Sequence, residues 1–585
     1  MITENFRILE VNLSTVRSAI KNVPGVETVL GGSGLAAKLH VEYSRPGLAW
    51  DDPSQPLIFA IGPLTGFFPL MSKTVCAFTS PLHGQYAESH AGARSALALR
   101  FAGIDALVII GKAERPTVLH LGANVIEFME AGYLWGKDAL TTGKLLRRIL
   151  KGSGHRTIMR IGPAGENKSA MACINVDTYR HFGRLGGGGV MGAKNLKAIA
   201  VEGNGSCDLP KGKEYTALFA DIFRKLTDTD MMRKYHNLGT ASNLEALNEL
   251  KALPWRNLQA TSDPGIGGIT GERFADDTLL RNAACSGCPV GCIHIGFVRE
   301  KFHKDNQYLY RQVGYDYEPI FATGSMLGLT HAPDVLMVMD EVEKAGLDVM
   351  SGGVALAWAT EALEKGVVTE EQTGISLRFG DAQGYMRAVH MLGGAVNDFW
   401  RTLAGGTMAA AARYGGEDFA CVLGQEMAGY ATGEVFYVAQ GLGLRHSHLD
   451  TGAYTYDQSK APKDVDKALA FLLEDERERV ILTSMVACLF ARKVYDPETL
   501  RQCLTVLGGQ TLADGLDDAA ARIQKLRWQA RAAGGYDPMN VRIPKRFLEV
   551  ETWKGRTDPQ YLEELRLAYA GAIREMCDQG DVKPA

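Results

Sequence analysis

The apolar positions change period along the chain. Near the start Leu9, Val11 and Leu13 alternate with Glu10 and Asn12, the period of two that marks a half-buried strand. Apolar runs follow at Leu57–Ile61, Val75–Phe78, Ala106–Ile110, Val118–Leu121, Thr157–Ile161 and Ala198–Val201. Most are bounded by Gly, Pro, Ser or Asp and predict further strands. The stretch Gly203–Pro210 reads as a linker, and beyond it the period lengthens. Tyr215, Leu218, Phe219, Ile222, Phe223 and Leu226 recur at the spacing of one helix face. Helical patterns dominate from there to the C-terminus, with a softer break in the Gly- and Ala-rich 405–416 region. The expected fold class is therefore α+β. A β-rich domain covers residues 1–205, and two mainly α-helical domains cover 206–410 and 411–585.

Composition narrows the function more than the fold. The 585 residues suffice for roughly three or four domains. A net charge of -4 without a basic run argues against nucleic acid as a partner. No apolar run reaches the ~18 residues of a membrane span, and the first residues carry no signal-peptide pattern. Ten cysteines in such a chain read as thiols or metal ligands rather than disulfides, so the expected compartment is the cytoplasm. The 66 glycines suggest many sites of close backbone approach.

The clearest chemical signal is Cys285-Ser286-Gly287-Cys288-Pro289-Val290-Gly291-Cys292. Three thiols at C-x2-C-x3-C spacing in a polar loop can converge on a soft metal centre. Spacing alone leaves an iron–sulfur cluster, a structural zinc ion and unliganded thiols open, and any four-ligand site lacks its fourth thiolate locally. A second signal is Gly183-Arg184-Leu185-Gly186-Gly187-Gly188-Gly189, followed by Lys194 and Lys197. Four glycines leave the backbone bare for an anion and Arg184 adds a planar fork, a pattern that points to a phosphate-bearing ligand; the alternative is a flexible turn. The earlier G-x-G-x-x-A at 32–37 lacks a clean strand–helix–strand context, and a tight turn accounts for it better than a nucleotide. Glu318 sits among Tyr315, Tyr317 and Pro319, where drying would raise its pKa. His448 lies in Arg445-His446-Ser447-His448.

Together these stretches resemble the aldehyde:ferredoxin oxidoreductase family of tungsten–bispyranopterin enzymes. The likeness runs from the Arg7–Leu13 strand through Gly31–Gly34, Ser80-Pro81-Leu82, Ala102–Asp105, Val190–Ile199, Leu253–Asn257 and the cysteine loop to Ile543–Phe547. The resemblance implies a β-sandwich-like, cofactor-binding N-terminal domain, with the cofactor buried against two helical domains. It implies a [4Fe-4S] cluster on Cys285, Cys288, Cys292 and Cys488, the last supplying the missing thiolate. The remaining cysteines fall in no second cluster pattern. Two pterin turns are expected, the first at Glu343, Gly346, Leu347 and Asp348, with Ser351 capping the next helix, and the second ending at Cys488 with Thr483 in its acidic position. Glu343 and Thr483 depart from the family's Asp. Arg184 matches its phosphate arginine, beside Gly186 and Gly187. Leu185 and His90 would present carbonyls to a Mg2+ ion bridging the pterin phosphates, with His90 and Gly92 standing in the family's Asn-x-Gly stretch. Lys73 stands where an arginine is common. Glu318 and His448 match the two residues placed beside the metal.

The activity implied is oxidation of an aldehyde to a carboxylic acid on tungsten, with molybdenum an alternative. Electrons would leave singly through the cluster to ferredoxin or a small iron–sulfur subunit. A low-potential reductase like the tungsten subunit of a benzoyl-CoA reductase is the rival within the class. A zinc-stabilised binding protein without redox chemistry is the rival outside it. The resemblance also allows a homodimer.

Overall fold

The structure, a computed structural model, describes residues 2–122, 125–152, 154–303, 307–459 and 462–578. Its first part is two mixed sheets laid face to face. The first sheet takes strands from the early chain: β1 (Asn5–Asn12), β2 (Arg17–Pro24), β3 (Leu57–Ala60), β4 (Thr74–Thr79), β5 (Tyr86–Ala91) and β6 (Ala106–Ile110), in the order β2-β1-β6-β3-β4-β5. The second takes β7 (Thr117–Leu121), β8 (Ile126–Glu130), β9 (His155–Arg160), β10 (Ile174–Val176), β11 (Arg180–Phe182) and β12 (Leu196–Gly203), in the order β11-β10-β9-β12-β7-β8.

Side-chain alternation explains the layering. Leu9, Phe59, Phe78 and Leu107 of the first sheet meet Leu119, Met159, Ile174 and Val201 of the second in one core. The intervening Ile8, Ile58, Val75 and Val108 face the opposite way, into the core built by the helices. On the far side Val118, Ile158, Ala198 and Ala200 pack under Leu146 of the helix Ala139–Ile149. Because most strands are covered on both faces, they read in sequence as apolar runs rather than alternations. Each fully buried Leu, Ile or Phe contributes about 1.5–3 kcal/mol.

The second part is mainly helical, with one difference from the sequence reading. A three-stranded antiparallel sheet interrupts the helices: β13 (Leu279–Ala283), β14 (Ile293–His303) and β15 (Gln307–Tyr315). The β13–β14 connection is the cysteine loop, and β15 runs directly into Asp316 and Glu318. His294 pairs with Tyr315 across the ladder. One small sheet therefore delivers both the thiols and the acidic residue.

The two parts meet through backbone. The helix Ala332–Ala345 ends on Gly346 at φ 74°, the left-handed conformation that glycine adopts freely. The next helix, Val349–Glu364, is capped by the Asp348 side chain, which accepts from Ser351 N at 2.8 Å. That corrects the expectation that Ser351 caps it. The turn is sewn to the first part by Cys173 N–H donating to Gly346 O at 2.9 Å and Asp348 N–H to Met171 O at 2.8 Å. A second seam joins Gly32 to the C-terminal end of the helix Val465–Ser484. A Cβ on Gly32 would stand 2.3 Å from Thr483 O, so only glycine fits.

Candidate active site

Three short segments, around Leu70–Lys73, Ala93 and Val486–Cys488, converge on the cysteine loop. Leu70 N–H donates to Gly287 O at 3.1 Å, and Cys488 N–H donates to Leu70 O at 3.0 Å. Lys73 N–H reaches Val486 O at 3.1 Å, and Ser286 N–H reaches Ala93 O at 3.0 Å. Leu70, Ala93 and Val486 all have positive φ, and for a β-branched valine that is a strained conformation held by its surroundings. The fourth cysteine is thus tied to the loop that carries the other three. Gly92 is required here, since a Cβ would meet Cys285 Sγ at 2.6 Å.

The thiols act on one another and on two cations. Burial, then the Cys488 sulfur, pushes Cys288 up to about 12; burial pushes Cys292 to about 11 against the pull of Arg180. For Cys285, burial is outweighed by Lys73 and Arg180, which hold it below an ordinary thiol. The thiols in turn keep Lys73 protonated although desolvation opposes it. Lys73, expected among the cofactor contacts, has its ammonium beside Gly92 and Cys285, where Cys488, Cys285 and Cys292 act on it. Among the described residues, no three His, Cys, Asp or Glu donors close around a single ion. An all-cysteine donor set is the chemistry that holds an iron–sulfur cluster.

Beside this group Glu318 and His448 form one unit. His448 Nε2 lies 3.0 Å from Glu318 Oε1, and Tyr430 Oη donates to the same oxygen at 2.9 Å. The two residues come from the helix Tyr317–Thr323 and from the segment after the helix Glu434–Leu442. Tyr430 is sandwiched by rings, 4.8 Å from Tyr317 and 4.7 Å from Tyr454. Desolvation opposes ionisation of Glu318, but the hydrogen bonds from His448 and Tyr430 win and hold its pKa below the usual value. The expectation of a raised pKa is therefore reversed. Desolvation, then the Glu318 carboxylate, pushes nearby Asp316 upward instead. Among the described residues, the buried His448 Nδ1 has no hydrogen-bond partner.

Removing the tyrosine hydroxyl should be felt at the carboxylate. In Tyr430→Phe the Glu318 pKa rises, so the acid limb of the kcat/KM profile moves to higher pH. The limb is expected to move by about one to two pH units, the worth of one hydrogen bond to a charged group. An unmoved acid limb would separate Tyr430 from the chemistry.

Arg184 is buried, its Nε 3.3 Å from Asp348 Oδ2, and among the described residues its Nη1 has no hydrogen-bond partner. Arg531 is fully buried on the carbonyls of Gly443 and Leu444, at 2.9 and 2.8 Å, and forms no ion pair among the described residues. Arg445 binds Asp450 at 2.6 Å and lies 3.2 Å from His90 Nδ1. Burial, then Arg445, lowers His90 to about 4. An interior with an orphaned guanidinium nitrogen on Arg184 fits an anionic cofactor.

The other expected contacts are already engaged within the protein. Glu343 Oε2 pairs with His181 Nε2 at 2.7 Å, and Thr483 Oγ1 donates to Val480 O at 3.2 Å. Leu347 pairs with Ala172 in an isolated bridge and its carbonyl accepts from Cys173 Sγ. Leu185 O accepts from Ser80 Oγ at 2.8 Å, leaving one lone pair for a cation. A Cβ on Gly186 would meet Pro81, on Gly187 Phe78 and on Gly188 the Cys173 carbonyl. These glycines let a short helix pack against backbone, so the bare-backbone argument for phosphate loses its support there. Sequence reasoning misses Tyr430, Arg180, Arg445 and Arg531, because no motif marks them.

Residues 8–203 match the family described as aldehyde ferredoxin oxidoreductase, N-terminal domain, and residues 217–575 match domains 2 and 3 of the same family. A tungsten-containing aldehyde ferredoxin oxidoreductase of Pyrococcus furiosus is 29% identical over 93% of this chain and 91% of its own length. A WOR-like subunit of an aliphatic sulfonate oxidoreductase from the same organism is 29% identical over 67% of this chain and 64% of its own. In fold, the active site complex BamBC of benzoyl-coenzyme A reductase aligns with a TM-score of 0.81 at 20% identity, over 97% of this chain and 95% of that one. The matched domains span both sides of the interior where thiols, buried arginines and the Glu318–His448 pair converge, and the chain belongs to the aldehyde ferredoxin oxidoreductase family of oxidoreductases.

Proposed function

We propose that this chain holds a tungsten–bispyranopterin cofactor and one [4Fe-4S] cluster and oxidises an aldehyde, RCHO + H2O → RCOOH + 2H+ + 2e-. The observation that carries the reading is the Glu318–His448 pair, His448 buried and Glu318 partly so, placed at the end of the same small sheet that presents Cys285–Cys292. The cofactor would supply carbonyl polarisation and take up the electron pair. Cys285, Cys288, Cys292 and Cys488 would ligate the cluster. Arg184, with Arg445 and His90 nearby, would meet the phosphate end, where Leu185 O and His90 O are proposed to face magnesium.

The protein's own work is at the carboxylate. Glu318 Oε1, kept ionised by two hydrogen bonds, is the proton acceptor, and His448 Nε2, 3.0 Å away, holds it in position. The Tyr317–Tyr430–Tyr454 stack excludes water around that oxygen. The two electrons leave one at a time, because one cluster holds one electron, so ferredoxin or a small iron–sulfur subunit is proposed as acceptor. The names of the relatives support this.

A second reading, delivery of electrons in a low-potential reduction, is favoured by the fold likeness to BamBC. Among the described residues no helix is long and apolar enough to cross a membrane. The test is anaerobic enzyme with a panel of aldehydes and oxidised viologen. Dye reduction with stoichiometric carboxylate supports aldehyde oxidation. Turnover only with reduced dye and an acid or thioester favours the second reading.

A further inference from the structure

Next to the cysteine loop lies a cavity of about 360 Å³ lined by Arg94, Arg147, Arg156, Arg180 and Arg281, with Asp177 the single acidic wall residue. The chain as a whole carries a net charge of -4, so this is a local reversal of sign. Asp177 does not neutralise it freely. Its oxygens accept from Arg94 N at 3.1 Å, Ile158 N at 3.2 Å and Thr157 Oγ1 at 3.1 Å. Arg156 has Glu202 at 3.3 Å, and Arg180 has Asp316 at 4.0 Å. Among the described residues the guanidiniums of Arg94, Arg147 and Arg281 form no ion pair; Arg147 reaches only Thr178 Oγ1, at 3.2 Å.

These three come from three elements: the residue preceding the helix Ser95–Phe101, the helix Ala139–Ile149, and β13. All three are exposed. Between them the floor is apolar, made by Ala93, Ile158, Ala283, Ala284 and Ile293. An apolar floor inside a charged, wet rim is the anatomy of a protein interface rather than of a phosphate pocket, which would place its donors deep. The position matters as much as the charge. Ala284 precedes Cys285, and Ser286, the residue after it, donates its N–H to the carbonyl of Ala93 in the cavity floor at 3.0 Å. A partner seated here lies at the edge of the thiol group.

We propose that this arginine-rimmed cavity is the docking site of an acidic iron–sulfur protein, which takes electrons from the cluster on Cys285. The inference rests on the reading that electrons leave to such a partner. Each encounter moves one electron, from the reduced cluster to an oxidised iron–sulfur centre of the partner, and two encounters complete one turnover. The unpaired rim arginines steer association, so the interaction weakens with salt.

The test uses cofactor-loaded enzyme, wild type and Arg94→Glu/Arg281→Glu, with an acidic [4Fe-4S] ferredoxin as probe. Calorimetric binding of ferredoxin is measured first, since it needs no knowledge of the substrate. The expected result is at least tenfold weaker binding in the variant and a marked loss in wild type between low and high salt. Where the aldehyde assay turns over, viologen reduction stays unchanged while kcat/KM for ferredoxin falls at least tenfold. Equal ferredoxin affinity in the two proteins overturns the proposal. So does absence of ferredoxin binding to wild type, or tight binding of inorganic pyrophosphate in its place. If binding responds as expected while no aldehyde turns over, the reaction assignment fails and the docking site stands.

Discussion

Glu318→Gln should leave the metal and iron content of the enzyme intact and lower turnover with any accepted aldehyde by about 10²–10⁴-fold, the range for loss of a general base. The amide keeps the volume of the carboxylate and can still accept from Tyr430 Oη, which bonds Oε1 at 2.9 Å in the parent. What it loses is the capacity to take a proton and the charge that attracts His448, 3.0 Å away. The pH profile gives the same answer independently. Because hydrogen bonding outweighs desolvation and depresses the Glu318 pKa, the carboxylate form persists as pH falls, and activity is lost only below the ordinary glutamate range. In the Gln variant that acid limb disappears. Rates within twofold of wild type, measured with viologen under argon, would remove Glu318 from the reaction.

Cys488→Ala has the second large expected effect. Its backbone N–H is donated to Leu70, not to the cysteine loop itself, so the substitution removes a sulfur while leaving the seam that positions residue 488. The expected product is a cluster reduced from about four irons to about three, as for a cubane deprived of one of its four cysteine ligands. Iron analysis and the paramagnetic signal of the oxidised cluster read this directly. Aldehyde-dependent reduction of viologen or ferredoxin should fall at least tenfold, because the remaining cluster has a different potential. An unaltered cluster would show that another group is the fourth ligand.

The strands of the first part are legible in the sequence because apolar runs bounded by turn residues leave few alternatives. The sheet carrying the cysteine loop is not. In β14 and β15, Arg299, Glu300, Lys301, Gln307, Arg311 and Gln312 break the apolar run, and the cross-strand Arg311–Glu300 pair that holds them, at 2.5 Å, joins residues on different strands. Gly346 can be read as a helix end because its neighbours are local. The cap on the next helix cannot be settled the same way, since Asp348 and Ser351 are both good caps and Arg184, remote in sequence, sits by Asp348. Likewise the glycines at 186–189 suggest a ligand, and only the fold shows Pro81, Phe78 and Cys173 filling the space. Glu318 stands out through its sequence context, but the direction of its pKa depends on Tyr430, a partner supplied by tertiary structure.

The seam at Leu70 has a consequence for how the molecule is made. A nascent chain that has emerged only through the cysteine loop holds three thiols and no closed site. Cys488 is delivered by a late segment, and its place is fixed only when Leu70, from the earliest part of the chain, has bonded both Gly287 and Cys488. On the proposed ligand set, loading of the cluster is therefore a step after synthesis, reserved for chains whose first and last portions have already found each other.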